Sequence, residues 1–190
     1  MTAYGIVVEG VYDVAALEEL IKKCLSPDVD IIARPTNGVA NLMKFFSAHL
    51  EDFRHAKRGG PVDKALVIRD ADGKDPKKLE SEMNSKITNR NYPFEVKFAF
   101  AVQELEAWLL ADEKAISQVT QSRSRKTVPR VNEAIEKIAR PKEKLEDILS
   151  RADVRYTDAV AREIAKAADI ATLKHRCPKF KEFYQAVLDC

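Results

Sequence analysis

Asp70 and Asp72 close the stretch Ala65-Leu66-Val67-Ile68-Arg69-Asp70-Ala71-Asp72-Gly73. Two carboxylates this close repel unless something positive lies between them. A divalent cation, which takes hard oxygen ligands, is the simplest candidate. Leu66, Val67 and Ile68 suit a strand buried on both faces, as parallel strands are. In an open α/β sheet, ligands bind just beyond the carboxyl ends of the strands, so the pair is placed where chemistry usually sits. Two other acidic groups repeat the pattern: Glu9-Gly10 follows Tyr4-Gly5-Ile6-Val7-Val8, and Glu104 and Glu106 follow the run Phe94 to Val102. Parallel strands deliver all three ends to one edge. Glu9, Asp70, Asp72, Glu104 and Glu106 would then meet in one cleft, with Asp13 one helical turn from Glu9.

Each acid alone has a plainer role. Asp-x-Asp serves turns and caps. Glu9 suits the start of a helix for its charge, and Asp13 reads first as an N-cap. Glu104 and Glu106 could simply begin a helix that carries Trp108 into the core. Their joint occurrence at three strand ends is what supports a metal site. An EF-hand is excluded, because Gly73 is the fourth residue of the loop and not the sixth.

The elements that must position these residues follow from periodicity. Tyr4–Val8 and Asp30–Ala33 read as strands, with a helix from Val14 to Lys23 between them, carrying Leu17, Leu20 and Ile21 on one stripe. Asn37-Gly38 makes a turn, and Val39 to His55 is a long amphipathic helix. Lys57-Arg58-Gly59-Gly60-Pro61 is a loop before the central strand. Pro76 fits the first turn of a helix running to about Ile87. Phe94, Val96, Phe98, Phe100 and Val102 alternate with less apolar residues, as in a strand. Gln118 to Arg130 is polar and basic and reads as a mobile loop. Beyond it only helices are expected, over 131–139, 142–151, 157–167 and 179–188. The expectation is a four-stranded, mainly parallel α/β core over residues 1–115, with a basic loop and helical C-terminal extension over 116–190 packed on it.

Composition sets the bounds. A chain of 190 residues, 45% apolar and 33% charged, buries a real core, roughly 70% of its unfolded surface. A net charge of +2 neither requires nor excludes nucleic acid, so any basic surface must be local. Cys24, Cys177 and Cys190 make no metal-type pair and fit a reduced, cytoplasmic chain. Glu9 and Asp13 come too early for a signal peptide, and no apolar run approaches the roughly 20 residues of a membrane span.

At Glu9-Gly10 and Asp70-Ala71-Asp72 the chain resembles the TOPRIM fold, shared by topoisomerases, bacterial primases, recombination proteins and OLD-family nucleases. The Glu9-x-x-x-Asp13 spacing looks like the OLD-type version. Asp70-Ala71-Asp72-Gly73 with Glu104-Leu105-Glu106-Ala107-Trp108-Leu109 looks closer still to stand-alone bacterial TOPRIM-like proteins of unassigned function. The resemblance covers about residues 4–112. It implies Mg²⁺- or Mn²⁺-dependent phosphodiester chemistry on nucleic acid, in which one ion polarises a phosphoryl oxygen and a second stabilises the leaving oxygen. Glu9, Asp70 and Asp72 would be catalytic, Glu9 as ligand or general base, and Asp13, Glu104 and Glu106 would join the metal ligands. OLD-type nucleases carry an ATPase, whereas this chain has no phosphate loop, so an ATPase partner would be a separate protein.

Lys74, Arg123, Arg125 and Lys126 are candidates for phosphate contacts. Arg130, Lys57, Arg58, Lys77 and Lys78 are further cations of the same kind, and for all of them a solvated surface is the plainer reading. Two other functions remain open. One is a binding module that keeps the acids but cuts only within a complex, or not at all. The other is a small-molecule phosphatase of the haloacid dehalogenase type, against which Lys74 stands where Thr is usual.

Overall fold

The structure, a computed structural model, describes residues 2–56 and 60–189. Lys57 and Arg58 of the expected basic loop, and Cys190, lie outside the described residues. Strands β1 (Ala3–Val8), β2 (Asp30–Pro35), β3 (Lys64–Asp70) and β4 (Glu95–Ala101) form one sheet in the order β2-β1-β3-β4, and every neighbouring pair is parallel. The strands end nearly in step. Val8 is level with Pro35 on one side and Ile68 on the other, and Asp70 is level with Ala101.

Side-chain alternation divides two cores. Tyr4, Ile6, Val8, Leu66 and Ile68 face helix α1 (Asp13–Cys24), which brings Ala16, Leu17, Leu20 and Ile21. Val7, Ala65 and Val67 face the other way. They meet Leu42, Phe46 and Leu50 of α2 (Val39–Asp52) and Leu79 and Met83 of α3 (Pro76–Ser85). Asp75 caps α3 by accepting from Lys77 N at 3.0 Å, with Pro76 at its first position. At Gly5 a Cβ would lie 2.4 Å from Cδ2 of Phe53, so only glycine lets that ring lie on the strand.

The chain beyond β4 is helical and closes the α1 side. It contains α4 (Glu106–Leu110), α5 (Glu113–Ser124), α6 (Pro141–Arg151), α7 (Asp158–Ala167), α8 (Ile170–Arg176) and α9 (Pro178–Leu188). These helices share one core with the sheet. Trp108 lies edge-on to Phe180 (centroids 5.3 Å apart) and 4.8 Å from Phe183, which fixes α9 to α4. Buried Asp112 caps α5 through Lys114 N and Ala115 N and also accepts from Asp169 N at 2.8 Å, joining α5 to the start of α8. Residue 115, the expected domain boundary, falls inside α5. Cys24 and Cys177 are free and buried, and burial pushes both thiols up to about 12.

Three expectations need correction. Gln118 to Arg130 is not a loop throughout. The Asp112 cap and the buried Ala115, Ile116, Val119 and Thr120 carry α5 to Ser124, where Arg125 ends it in a left-handed conformation (φ 60°). The helix expected over 131–139 reduces to a 3₁₀ turn, Ile135–Lys137. There Val131 O accepts from Arg176, and Glu136 Oε1 accepts from Lys179 N at 2.6 Å, so partners elsewhere in the chain hold the segment instead of a helical ladder. Asp13 is not an N-cap; it is the first residue of α1, and its Oδ2 accepts from Gly10 N at 3.0 Å. In addition, α8 was not anticipated.

Candidate functional site

The order β2-β1-β3-β4 makes the crevice between β1 and β3 a topological switch point, where doubly wound sheets bind ligands. Glu9 leaves β1 at this crevice and Asp70 ends β3 beside it. Backbone bonds hold both segments. Thr36 N and Oγ1 each donate to Val8 O at 3.0 Å, and Gly38 N donates to Glu9 O at 2.9 Å. The turn that does this needs left-handed backbone at Asn37 (φ 58°) and Gly38 (φ 107°). Past β3 the ladder continues: Ala71 N donates to Ala101 O at 2.8 Å and Gly73 N to Val102 O at 2.9 Å. Asp72 (φ 49°) and Gly73 (φ 71°) are both left-handed, and Asp72 is exposed at this turn.

The carboxylates act on one another. Burial first, and then Asp13, Glu9, Glu106 and Glu104, push the Asp70 carboxyl up to about 9. Burial also raises Glu106, to about 7, with Asp13 and Glu104 adding to it. Glu9 is raised by burial and by Asp72, against the pull of Arg69 and of the Asp70 main-chain N–H. Asp13 is raised by burial despite its bond from Gly10 and the nearby Lys142 ammonium. Glu104 Oε2 accepts from Lys142 N at 2.9 Å, docking the start of α6 on the cleft. Tyr156 Oη donates to Glu106 Oε1 at 3.1 Å, and burial followed by the Glu106 charge raises that phenol well above its usual range.

The basic residues named from sequence lie differently. Lys74 is exposed in the turn beyond Asp72, with Lys77 and Lys78 after it. Arg123 is committed to Glu163 through two hydrogen bonds, of 2.9 and 2.6 Å, and Lys126 to Asp153 at 2.5 Å. Arg125 closes α5. The cations that favour the ionised carboxylates are Arg69 and Lys142. Arg69 was visible inside the Ile68-Arg69-Asp70 stretch. It is buried, and its Nε has no hydrogen-bond partner. Lys142 and Tyr156 carry no signal in sequence, because the docking of α6 and α7 brings them here.

The donor set fits a hard divalent ion in kind and in charge: six carboxylates, of which Glu9 Oε2 is buried with no hydrogen-bond partner and Asp70 is strongly disfavoured as an anion. Among the described residues no three His, Cys, Asp or Glu side chains are gathered closely enough to hold one ion. Among the described residues no helix is long and apolar enough to cross a membrane.

One family model, described as a domain of unknown function (DUF4276), matches residues 8–188, taking in the sheet, the acidic edge and the C-terminal helices together. No curated protein and no solved structure matches the chain.

Proposed function

The chain belongs to the DUF4276 family, and from the carboxylates at its sheet edge we propose that it is a TOPRIM-like phosphodiester-transfer enzyme, in its simplest form a nuclease dependent on Mg²⁺ or Mn²⁺. The observation that carries this reading is the convergence of carboxylates at the switch point: Glu9 follows β1 and Asp70 ends the neighbouring parallel β3, and Glu9 Oε2 is buried there with no hydrogen-bond partner. Like charges held together at a ligand-binding edge support this reading, because a bound cation would relieve their repulsion.

In this reading Glu9, Asp70 and Asp72 would hold one ion, and Asp13, Glu104 and Glu106 would extend the set. The ion, when bound, polarises a phosphoryl oxygen and stabilises charge developing on the leaving oxygen. Asp70 would ionise, its proton passing to solvent, as it became a ligand. Glu9 acts as a ligand or accepts the proton of the attacking group. Exposed Lys74, Lys77 and Lys78 receive the polyanion beside Asp72.

The test is to incubate the pure protein with single-stranded, duplex and supercoiled nucleic acid and Mg²⁺ or Mn²⁺. The native protein is expected to nick or cut at least one form, and Asp70→Ala to leave it intact. No cleavage of any form in either metal would overturn the reading. It would favour a second one, a nucleic-acid binding module whose ligands close only within a complex. That alternative draws support from the absence of a gathered ligand triad among the described residues.

A further inference from the structure

Beside the carboxylates opens a cavity of about 310 Å³ that none of the roles above uses. Tyr12 lines it from the segment before α1, Lys142 from the first turn of α6, and Arg155 and Tyr156 from the connection between α6 and α7. Two of these residues also touch the acidic edge: Lys142 N bonds Glu104, and Tyr156 Oη bonds Glu106. The cavity and the carboxylates therefore share a wall.

Its lining combines two aromatic side chains, Tyr12 and Tyr156, with two cations, Lys142 and Arg155, and two acids, Glu146 and Asp158. Tyr12 is 65% exposed, more than any other large apolar or aromatic side chain described, and makes no ring contact among the described residues. The ammonium of Lys142 and the guanidinium of Arg155 have no ion pair among the described residues, unlike Arg123 and Lys126. Glu146, Thr157 and Asp158 complete the lining, and Asp158 Oδ1 accepts from Ala159 N at 2.9 Å. The volume is at the small end of the roughly 300–1,000 Å³ typical of ligand sites, room for one nucleotide and not for a duplex. A free aromatic face stacks on any unpaired base, whereas a paired base already has both faces covered.

We propose that this cavity receives one unpaired nucleotide of a single-stranded nucleic acid, with the base on Tyr12 and phosphates on Lys142 and Arg155, and so presents the adjoining phosphodiester to the carboxylates. Only the last clause rests on the phosphodiester-transfer reading; the binding does not.

The test measures anisotropy of labelled single-stranded DNA, single-stranded RNA and duplex of one length, in Mg²⁺, on the full chain carrying Asp70→Asn so that cleavage does not intrude. Single strands are expected to bind more tightly than duplex, and the two single-stranded arms decide between DNA and RNA. Adding Tyr12→Ala weakens single-strand binding about tenfold while Tyr12→Phe preserves it. Arg155→Ala lowers the slope of log K against log salt by about 0.7. Equal affinity for duplex, no binding of any form, or single-strand binding indifferent to both Tyr12→Ala and Arg155→Ala overturns the proposal. Tyr12-dependent binding by a native protein that cuts nothing would keep the cavity and discard the nuclease. Cleavage untouched by Tyr12→Ala would do the reverse.

Discussion

Replacing Asp70 by Asn should make the metal-free protein more stable. The Asp70 carboxyl sits at about 9 in the fold, against 3.8 ordinarily. Because the folded value is the higher one, Asp70 contributes stability that is complete below about pH 4 and is lost as pH rises through about 9. At pH 7 the unfolded chain releases the proton while the folded chain keeps it, a difference of about three pH units at 1.36 kcal/mol each, or about 4 kcal/mol. Asp13, Glu9, Glu106 and Glu104 share the cleft and relax in part when Asp70 is neutral, so Asn should recover about 2–4 kcal/mol. For a chain of this length that is a rise in Tm of roughly 5–15 °C. Calorimetry in EDTA at pH 5, 7 and 9 should show native Tm falling with pH and Asp70→Asn falling less. Mn²⁺ at a hundred times its Kd should raise native stability by about 2.7 kcal/mol and barely move the variant. A native Tm that stays level from pH 5 to 9, together with an Asp70→Asn protein no more stable than native, would refute the reasoning.

Two other outcomes follow from packing. Gly5→Ala should cost about 1–3 kcal/mol by forcing the Phe53 ring off the strand, and adding Phe53→Leu should return part of it, which urea unfolding of the single and double variants will measure. Phe180→Ala should cost about 3–5 kcal/mol and shift the emission of Trp108, the single tryptophan, to longer wavelength; unchanged emission would mean that α9 does not depend on this contact.

What the sequence revealed has physical reasons, as does what it hid. Leu66, Val67 and Ile68 stand out because a strand buried on both faces must be apolar without interruption. The alternation from Phe94 to Val102 stands out because β4 presents unlike faces. Parallel strands bring Glu9, Asp70 and Glu106 to one edge, since topology alone sets that. The segment 118–130 misled because its polar residues outnumber Val119 and Thr120, the residues that hold α5 in place. Lys142 and Tyr156 were hidden for another reason. They enter the cleft only because Glu104 seats the first turn of α6 and Glu106 receives the Tyr156 hydroxyl, and no local pattern encodes a docking between residues 38 or 50 positions apart.

The division of the sheet into two faces also sets an order of assembly. The side of Val7, Ala65 and Val67 is covered by α2 and α3, all translated before residue 86. The side of Tyr4, Leu17 and Leu20 waits for α7 and α9, which pack on α1 and reach to Leu188. Tyr4 Oη bonds the carbonyl of Val187, almost the full length of the chain away. A ribosome making this protein therefore holds a half-covered sheet until the last helix emerges. Throughout that interval its first helix offers a greasy stripe to whatever chaperone or neighbour is nearest.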